Sequence, residues 1–250
     1  MLLLMLTFAQ DAEVVEADAP TLVRGAELYR TNCATCHGVE GDGNGPSARY
    51  LETLPRDFTS GLFKFRSTTV GTPPSDEDLA RTIAVGVPGT SMPAWGNSLD
   101  EGEINAVSQY LKTFSDVFET APGDTLETPA RPEDMAAAAA KGAAMFTALC
   151  ASCHGAEGKG DGPASVGLSD LWGQPITPAD FTVGTFKSGT TPEDLFRTVS
   201  SGVEGTPMPP WGALPSETRW ELVAYVLTFS EGSNGTASTG VHWTPPAFER

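Results

Sequence analysis

Two short stretches carry nearly all the reactive side chains of this chain: Cys33-Ala34-Thr35-Cys36-His37 and Cys150-Ala151-Ser152-Cys153-His154. Together they use all four cysteines and two of the three histidines. The C-x-x-C-H pattern reads as the attachment signature of a c-type haem. On one helical turn, two thiols three residues apart can each add to a haem vinyl group, and the histidine that follows is held beneath the iron as its proximal ligand. A zinc site usually pairs one C-x-x-C with a second such pair, and a thioredoxin-type dithiol needs a βαβ setting. Neither accounts for a histidine directly after the second cysteine in both copies. The expectation is two covalently attached haem c groups, with Cys33, Cys36, Cys150 and Cys153 as the thioether sulfurs and His37 and His154 as iron ligands.

The opposite face of each iron needs a second donor. Of six methionines, only Met92 and Met208 sit at equivalent places, in Gly89-Thr90-Ser91-Met92-Pro93-Ala94-Trp95-Gly96 and Gly205-Thr206-Pro207-Met208-Pro209-Pro210-Trp211-Gly212, 55 residues after His37 and 54 after His154. Core packing is the ordinary use of methionine. A methionine beside proline in a rigid loop between helices is a poor core filler and a good axial ligand. A neutral, soft thioether stabilises ferrous over ferric iron and raises the potential. It also occupies the position that oxygen or peroxide would need. The expected chemistry is therefore outer-sphere electron transfer, with no catalytic residue.

Elements that position these groups can be read around them. Before the first motif, Leu22, Gly25, Leu28 and Tyr29 share a helical face; Gly142, Met145 and Phe146 repeat it before the second. A glycine with an aromatic four residues on lets another helix cross closely. After each histidine runs a glycine-rich loop, Gly38 to Pro46 and Gly155 to Pro163, expected to wrap a planar cofactor. No strand precedes it, so phosphate cradling is rejected. Ser75-Asp76-Glu77-Asp78 and Thr191-Pro192-Glu193-Asp194 read as helix starts, with stops and αL caps expected at Gly86 and Gly202. A closing amphipathic helix is expected from near Ser98, with Glu101 completing its capping box, through Tyr110 and Phe114; its counterpart carries Trp220, Tyr225 and Phe229. Tyr110 and Tyr225 are expected to face the opening helix of their own repeat. The repeats are not identical: their offset is 117 residues at the histidines and 123 at Asp57/Asp180, and the first is longer by seven residues between Lys64 and Asp78, which makes Phe65 to Pro74 a loop of its own.

At 250 residues the chain has room for two domains. The expected division is a leader and acidic spacer at 1–20, domains at 21–118 and 136–230, an extended Pro-rich linker at 119–135 and a Gly/Ser/Pro-rich tail at 231–250. The net charge of −17 repels nucleic acid and anionic lipid and favours basic or neutral partners; simple solubility is its plainer meaning. Met1 to Ala9 resembles a shortened signal peptide without the usual Lys or Arg, and no run of about twenty apolar residues exists to span a bilayer. The expectation is a periplasmic protein, monomeric or in weak transient complexes with redox partner proteins, with no nucleic acid and no integral membrane segment.

The order of helix, C-x-x-C-H, glycine-rich loop with Gly-Pro, short helix, Met-Pro turn and closing helix resembles a class I cytochrome c domain, here twice, as in soluble dihaem cytochromes c. The resemblance covers residues 21 to 118 and about 136 to 230. It implies an all-α fold, a tandem pair of small helical domains around one covalent haem c each. It also implies that the Pro46 and Pro163 carbonyls accept the Nδ1 proton of the proximal histidines, leaving Nε2 for iron. Trp95 and Trp211, just after the methionines, either line a haem edge or pack in the core. Arg81, Arg197, Lys64 and Lys187 are candidate propionate partners, the plainer reading being solvated cations. His242, in the tail, reads as a surface histidine. The function expected is one-electron carriage between a quinol-oxidising complex or dehydrogenase and a terminal oxidase or reductase. The alternatives are a dihaem enzyme of peroxidase or thiosulfate-dehydrogenase type, for which only His242 could supply a different ligand, and a tightly bound cytochrome subunit of a dehydrogenase.

Overall fold

The computed structural model describes residues 17–189 and 191–230. The expected leader, most of the acidic spacer, the tail and His242 lie outside the described residues. Among those described there are eight α-helices and a few 3-10 turns; β pairing is limited to two isolated bridges, Thr68 with Thr125 and Ser169 with Pro175. The fold is the expected all-α tandem pair.

In the first half, α1 (Ala19–Asn32) starts where the Asp18 carboxylate accepts the Thr21 N–H at 3.1 Å, with Pro20 in its first turn. It crosses α4 (Glu101–Lys112) at Gly25. A Cβ there would fall inside the Ala106 carbonyl oxygen and 2.8 Å from the Tyr110 Cβ. The second half repeats this with α5 (Met135–Leu149) and α8 (Ser216–Thr228), where Gly142 meets the Glu221 carbonyl and, at 3.1 Å, the Tyr225 Cβ. Only hydrogen fits between the backbones, so the aromatics beside the crossing can close on one another. Tyr29 lies 5.5 Å from Tyr110 and 5.1 Å from Phe114; Phe146 lies 5.3 Å from Tyr225 and 5.2 Å from Phe229. Tyr110 and Tyr225 thus face their own opening helices, as expected.

Helices α3 (Asp76–Val85) and α7 (Pro192–Ser201) begin with the expected capping boxes, Ser75 with Asp78 and Thr191 with Asp194. Their ends differ from expectation. Gly86 and Gly202 have positive φ (69° and 67°) but extended ψ (−165° and −167°), not the αL conformation. The reason is packing: a Cβ at Gly86 would sit 2.6 Å from the Pro93 carbonyl carbon, and one at Gly202 2.7 Å from that of Pro209. The start of α4 also differs. Asp100, paired with Glu103, forms the capping box, while the Ser98 N–H closes a 3-10 turn onto the Trp95 carbonyl.

The segment between the halves is extended but tied at both sides. The Leu126 N–H donates to the Ser67 carbonyl at 2.7 Å, and the Trp220 Nε1–H to the Pro129 carbonyl at 3.1 Å. The halves also meet directly, in part through the segments in which the repeats differ. From the first half, Arg66 pairs with Glu204 at 3.2 Å, Lys64 with Asp170 at 3.4 Å, Arg81 with Asp194 and the Ser188 carbonyl, and the Arg56 guanidinium lies 4.0 Å over the Trp172 ring. Every cation comes from the first half, and every acid or ring from the second.

Candidate metal centres

Each C-x-x-C-H forms a single helical turn directly continuing the opening helix: α2 (Ala34–His37) after α1, and α6 (Ala151–His154) after α5. That continuity fixes the cysteines relative to the crossing below. None of the four cysteines is in a disulfide, and all are partly exposed. Burial pushes the Cys33 and Cys150 thiols up to about 11, with the neighbouring Cys36 and Cys153 adding to it, so both are neutral S–H groups near pH 7. Among the described residues no set of three His, Cys, Asp or Glu converges on a point, so the zinc reading finds no further ligands.

The histidines are prepared as neutral ligands. Burial is the main cause holding both imidazoles below their ordinary value. Nδ1 of His37 lies 3.0 Å from the Arg56 carbonyl, and Nδ1 of His154 lies 3.4 Å from that of Ala179. With the Nδ1 proton directed to a carbonyl, Nε2 carries the free lone pair. Each ring is stacked on a phenylalanine, Phe58 at 4.7 Å and Phe181 at 4.5 Å.

These acceptors correct the expectation placed on Pro46 and Pro163. Both prolines are exposed. The Gly-Pro step instead folds the glycine-rich loop back onto the attachment turn. The Gly45 N–H donates to Cys36 and the Ser47 N–H to Thr35; Gly162 and Ala164 do the same with Cys153 and Ser152. The loop then returns lower down, where the Phe58 N–H meets the Gly41 carbonyl at 2.7 Å and the Phe181 N–H meets Gly158 at 2.7 Å. That return brings up the carbonyl before Asp57 or Asp180. The signal was in the sequence: Pro55-Arg56-Asp57-Phe58 and Pro178-Ala179-Asp180-Phe181 are a repeated Pro-x-Asp-Phe.

Both methionine turns are built from the same four bonds. The Val87 N–H donates to the Met92 carbonyl at 3.1 Å, the Met92 N–H to the Thr90 hydroxyl at 3.2 Å, and Thr90 donates to the Val87 carbonyl through both N–H and hydroxyl. Val203, Thr206 and Met208 repeat this with the same spacing. Both methionines are partly exposed rather than core residues, which leaves their thioethers free to meet a group lodged against the loop. Trp95 packs partly buried against the first core; Trp211 is partly buried, its backbone N–H on the Val199 carbonyl at 3.0 Å.

The structure therefore fits a haem c in each half: neutral thiols on a helical turn, an imidazole with Nε2 free, and a thioether on a fixed loop. Of the candidate propionate partners, Arg81 and Arg197 both pair with Asp194 and Lys64 with Asp170, while Lys187 is exposed. Three of the four are engaged in protein contacts, two of them across the interface. Sequence reasoning missed Arg56, Arg66, Asp170, Trp172 and Glu204. The unequal insertions were the available signal for Arg66, Asp170 and Trp172.

The family described as cytochrome c oxidase, cbb3-type, subunit III matches residues 20–111 and 137–226. The cbb3-type cytochrome c oxidase subunit FixP of Azorhizobium caulinodans is 30% identical over 213 residues, covering 83% of this chain and 59% of that protein. The corresponding subunit CcoP of Azospirillum brasilense is 28% identical over 217 residues, covering 83% of this chain and 62% of the relative. The chain thus spans about three fifths of the length of these curated relatives. Among solved structures, a chain of the Kuenenia stuttgartiensis reducing HAO-like protein complex superposes with a TM-score of 0.78 at 38% identity, covering 87% of this chain and 98% of that one.

Proposed function

From a chain that belongs to the cbb3-type cytochrome c oxidase subunit III family and carries two tandem cytochrome c domains with two covalent haem c groups, we propose an exported, periplasmic one-electron relay. It takes electrons singly from a respiratory donor, a quinol-oxidising complex or a dehydrogenase, and passes them to a terminal oxidase or reductase. Cys33 and Cys36 would hold one haem with His37 and Met92 as its iron ligands; Cys150 and Cys153 would hold the other with His154 and Met208. Haem supplies a one-electron Fe(III)/Fe(II) couple. The protein residues would keep that couple outer-sphere: a histidine and a methionine offered to each iron would leave it no open position, and the bonded loops would limit the movement that accompanies a change of charge.

The observation that carries this reading is the duplication of the whole ligand set with its supporting bonds, from the Nδ1 acceptor to the Thr hydroxyl under each methionine. A peroxidase or a thiosulfate dehydrogenase would need one site to depart from the other. The relatives named as oxidase subunits, and the structural relative within a reducing complex, support work alongside a larger oxidoreductase. An absorbance and electron paramagnetic resonance study of the purified protein tests it. Two low-spin ferric haems, with the far-red charge-transfer band of a thioether ligand, are expected; one high-spin centre that turns over peroxide or a sulfur anion would overturn it. Copurification from the native host identifies the partner complex.

A further inference from the structure

The residues that would hold the two irons match between the halves, but the residue that supplies each histidine's Nδ1 acceptor does not; the glycine-rich loops also differ in charge, Asp42 and Asn44 against Lys159 and Asp161, at solvent-facing positions where screening is strong. The residue whose carbonyl faces the His37 Nδ1 is Arg56; its counterpart at His154 is Ala179. The flanking residues are otherwise shared, Pro55 with Pro178, Asp57 with Asp180 and Phe58 with Phe181. Asp57 and Asp180 even make the same bonds, to the N–H and hydroxyl of Thr59 or Thr182. One half thus has a cation built into its histidine's acceptor residue, and the other has a methyl group.

That cation is also held in place. Its guanidinium lies over the Trp172 ring, 4.0 Å from the centroid, with Lys64 5.6 Å from the same ring. Trp172 in turn packs on the Gly205 backbone, and the Leu171 N–H donates to the Gly205 carbonyl at 2.9 Å. Among the described residues no carboxylate lies within ion-pair distance of Arg56; Asp170, Asp57 and Glu204 act on it from further away, and of these Asp170 is paired with Lys64 and Glu204 with Arg66. A partly buried charge without a close counterion acts over a longer range than a solvated one. Glu204 adds a charge difference of the same sense, since it stands where the first half has Pro88, but the Arg66 pair offsets it.

We propose that Arg56 sets the order of the two reduction potentials, making the haem held by His37 the easier one to reduce, and that Trp172 is the positioning residue that keeps the charge there. A fixed positive charge favours the ferrous state, which carries one positive charge fewer than the ferric. The shorter Nδ1 contact at His37 makes its imidazole a stronger donor and acts in the opposite direction; a full charge outweighs a 0.4 Å difference in one neutral hydrogen bond. An electron that enters at the His154 side is then drawn to the His37 side. One iron is oxidised and the other reduced, with no proton or bond change.

This inference rests on the His/Met ligation proposed above. The test is a potentiometric titration of the intact holoprotein, with the two haems told apart by the proton resonances of the Met92 and Met208 methyl groups in the ferrous state. In the unaltered protein the His37-side haem should be reduced first, with at least a tenfold preference, about 59 mV for one electron. Arg56→Gln, and Arg56→Ala, which installs the residue of the other repeat, should each reduce that preference at least tenfold and move the second potential less than threefold. Arg56→Lys should keep the order. Trp172→Leu should shift the first potential in the same direction as Arg56→Gln. A merely structural role would make Gln and Lys equally disruptive. The proposal is overturned if the His154-side haem is reduced first, or if the Gln and Lys variants shift alike. Loss of the methionine methyl signals in the unaltered protein would instead overturn the ligation itself.

Discussion

Met92 and Met208 are held by bonds to their own turns and not by burial, so removing either thioether should leave the loop standing. Met92→Ala and Met208→Ala are each expected to lower one potential and leave the other nearly unchanged, and to open one ferric iron to cyanide. Spectroelectrochemical titration with and without cyanide reads both effects. Tyr29 offers a contrast between the halves at the same packing position. Its hydroxyl donates to the buried Gly38 carbonyl at 2.7 Å, whereas Phe146 fills the equivalent place with no hydroxyl at all. Tyr29→Phe removes the closer of that carbonyl's two donors, the Gly41 N–H remaining at 3.3 Å, and should cost about 1 kcal/mol in denaturant unfolding. No difference from the unaltered protein would show that the Gly38 carbonyl finds another donor.

The element on which each half depends is the crossing of opening and closing helices, because the attachment turn is the direct continuation of the opening one. Gly25→Ala and Gly142→Ala place a methyl group inside a backbone carbonyl of the facing helix. Each is expected to destabilise by about 1–3 kcal/mol, the range for overpacking. The damage should stay in its own half, read by separate loss of each haem's native absorbance on heating. The methionine turns depend on α3 and α7, which run into them at Gly86 and Gly202. Thr191→Ala removes the Thr191 half of the α7 capping box, while Asp194 keeps its pairs with Arg81 and Arg197. A loss of about 1 kcal/mol is expected by thermal unfolding. Both helix starts were legible in the sequence, since capping depends on neighbours along the chain. The Asp100 start was misplaced by two residues, because the turn made by Trp95 claims Ser98 for its own bond.

At the scale of the molecule the two halves are joined by polarity: cations from the first, acids and a tryptophan from the second. Arg66 has 2% of its surface exposed, with Nη1 on the Thr69 and Thr72 carbonyls at 3.0 and 2.7 Å. Salt screens buried pairs weakly. The radius of gyration from solution X-ray scattering should therefore stay the same when ionic strength is raised to about 1 M. Arg81→Leu strips the Arg81 contacts from Asp194 and Ser188 and should loosen the pair, seen as a larger radius or as faster proteolysis of the 119–135 segment. An unchanged radius and cleavage rate in this variant would mean that Arg81 adds nothing to the docking.

What the sequence determined by itself was everything set by short spacing. The two attachment turns, their histidines, the methionine loops, the capping boxes of α3 and α7 and the glycine crossings all depend on residues within a few positions of each other or on a repeat visible in the chain. The tertiary structure decided which carbonyl meets each Nδ1, because that depends on how far the glycine-rich loop folds back before the chain returns. It also decided how the halves meet. Arg56 and Trp172 are 116 residues apart and belong to no shared pattern, and only the folding of the second half's insertion against the first half brings a charge and a ring together.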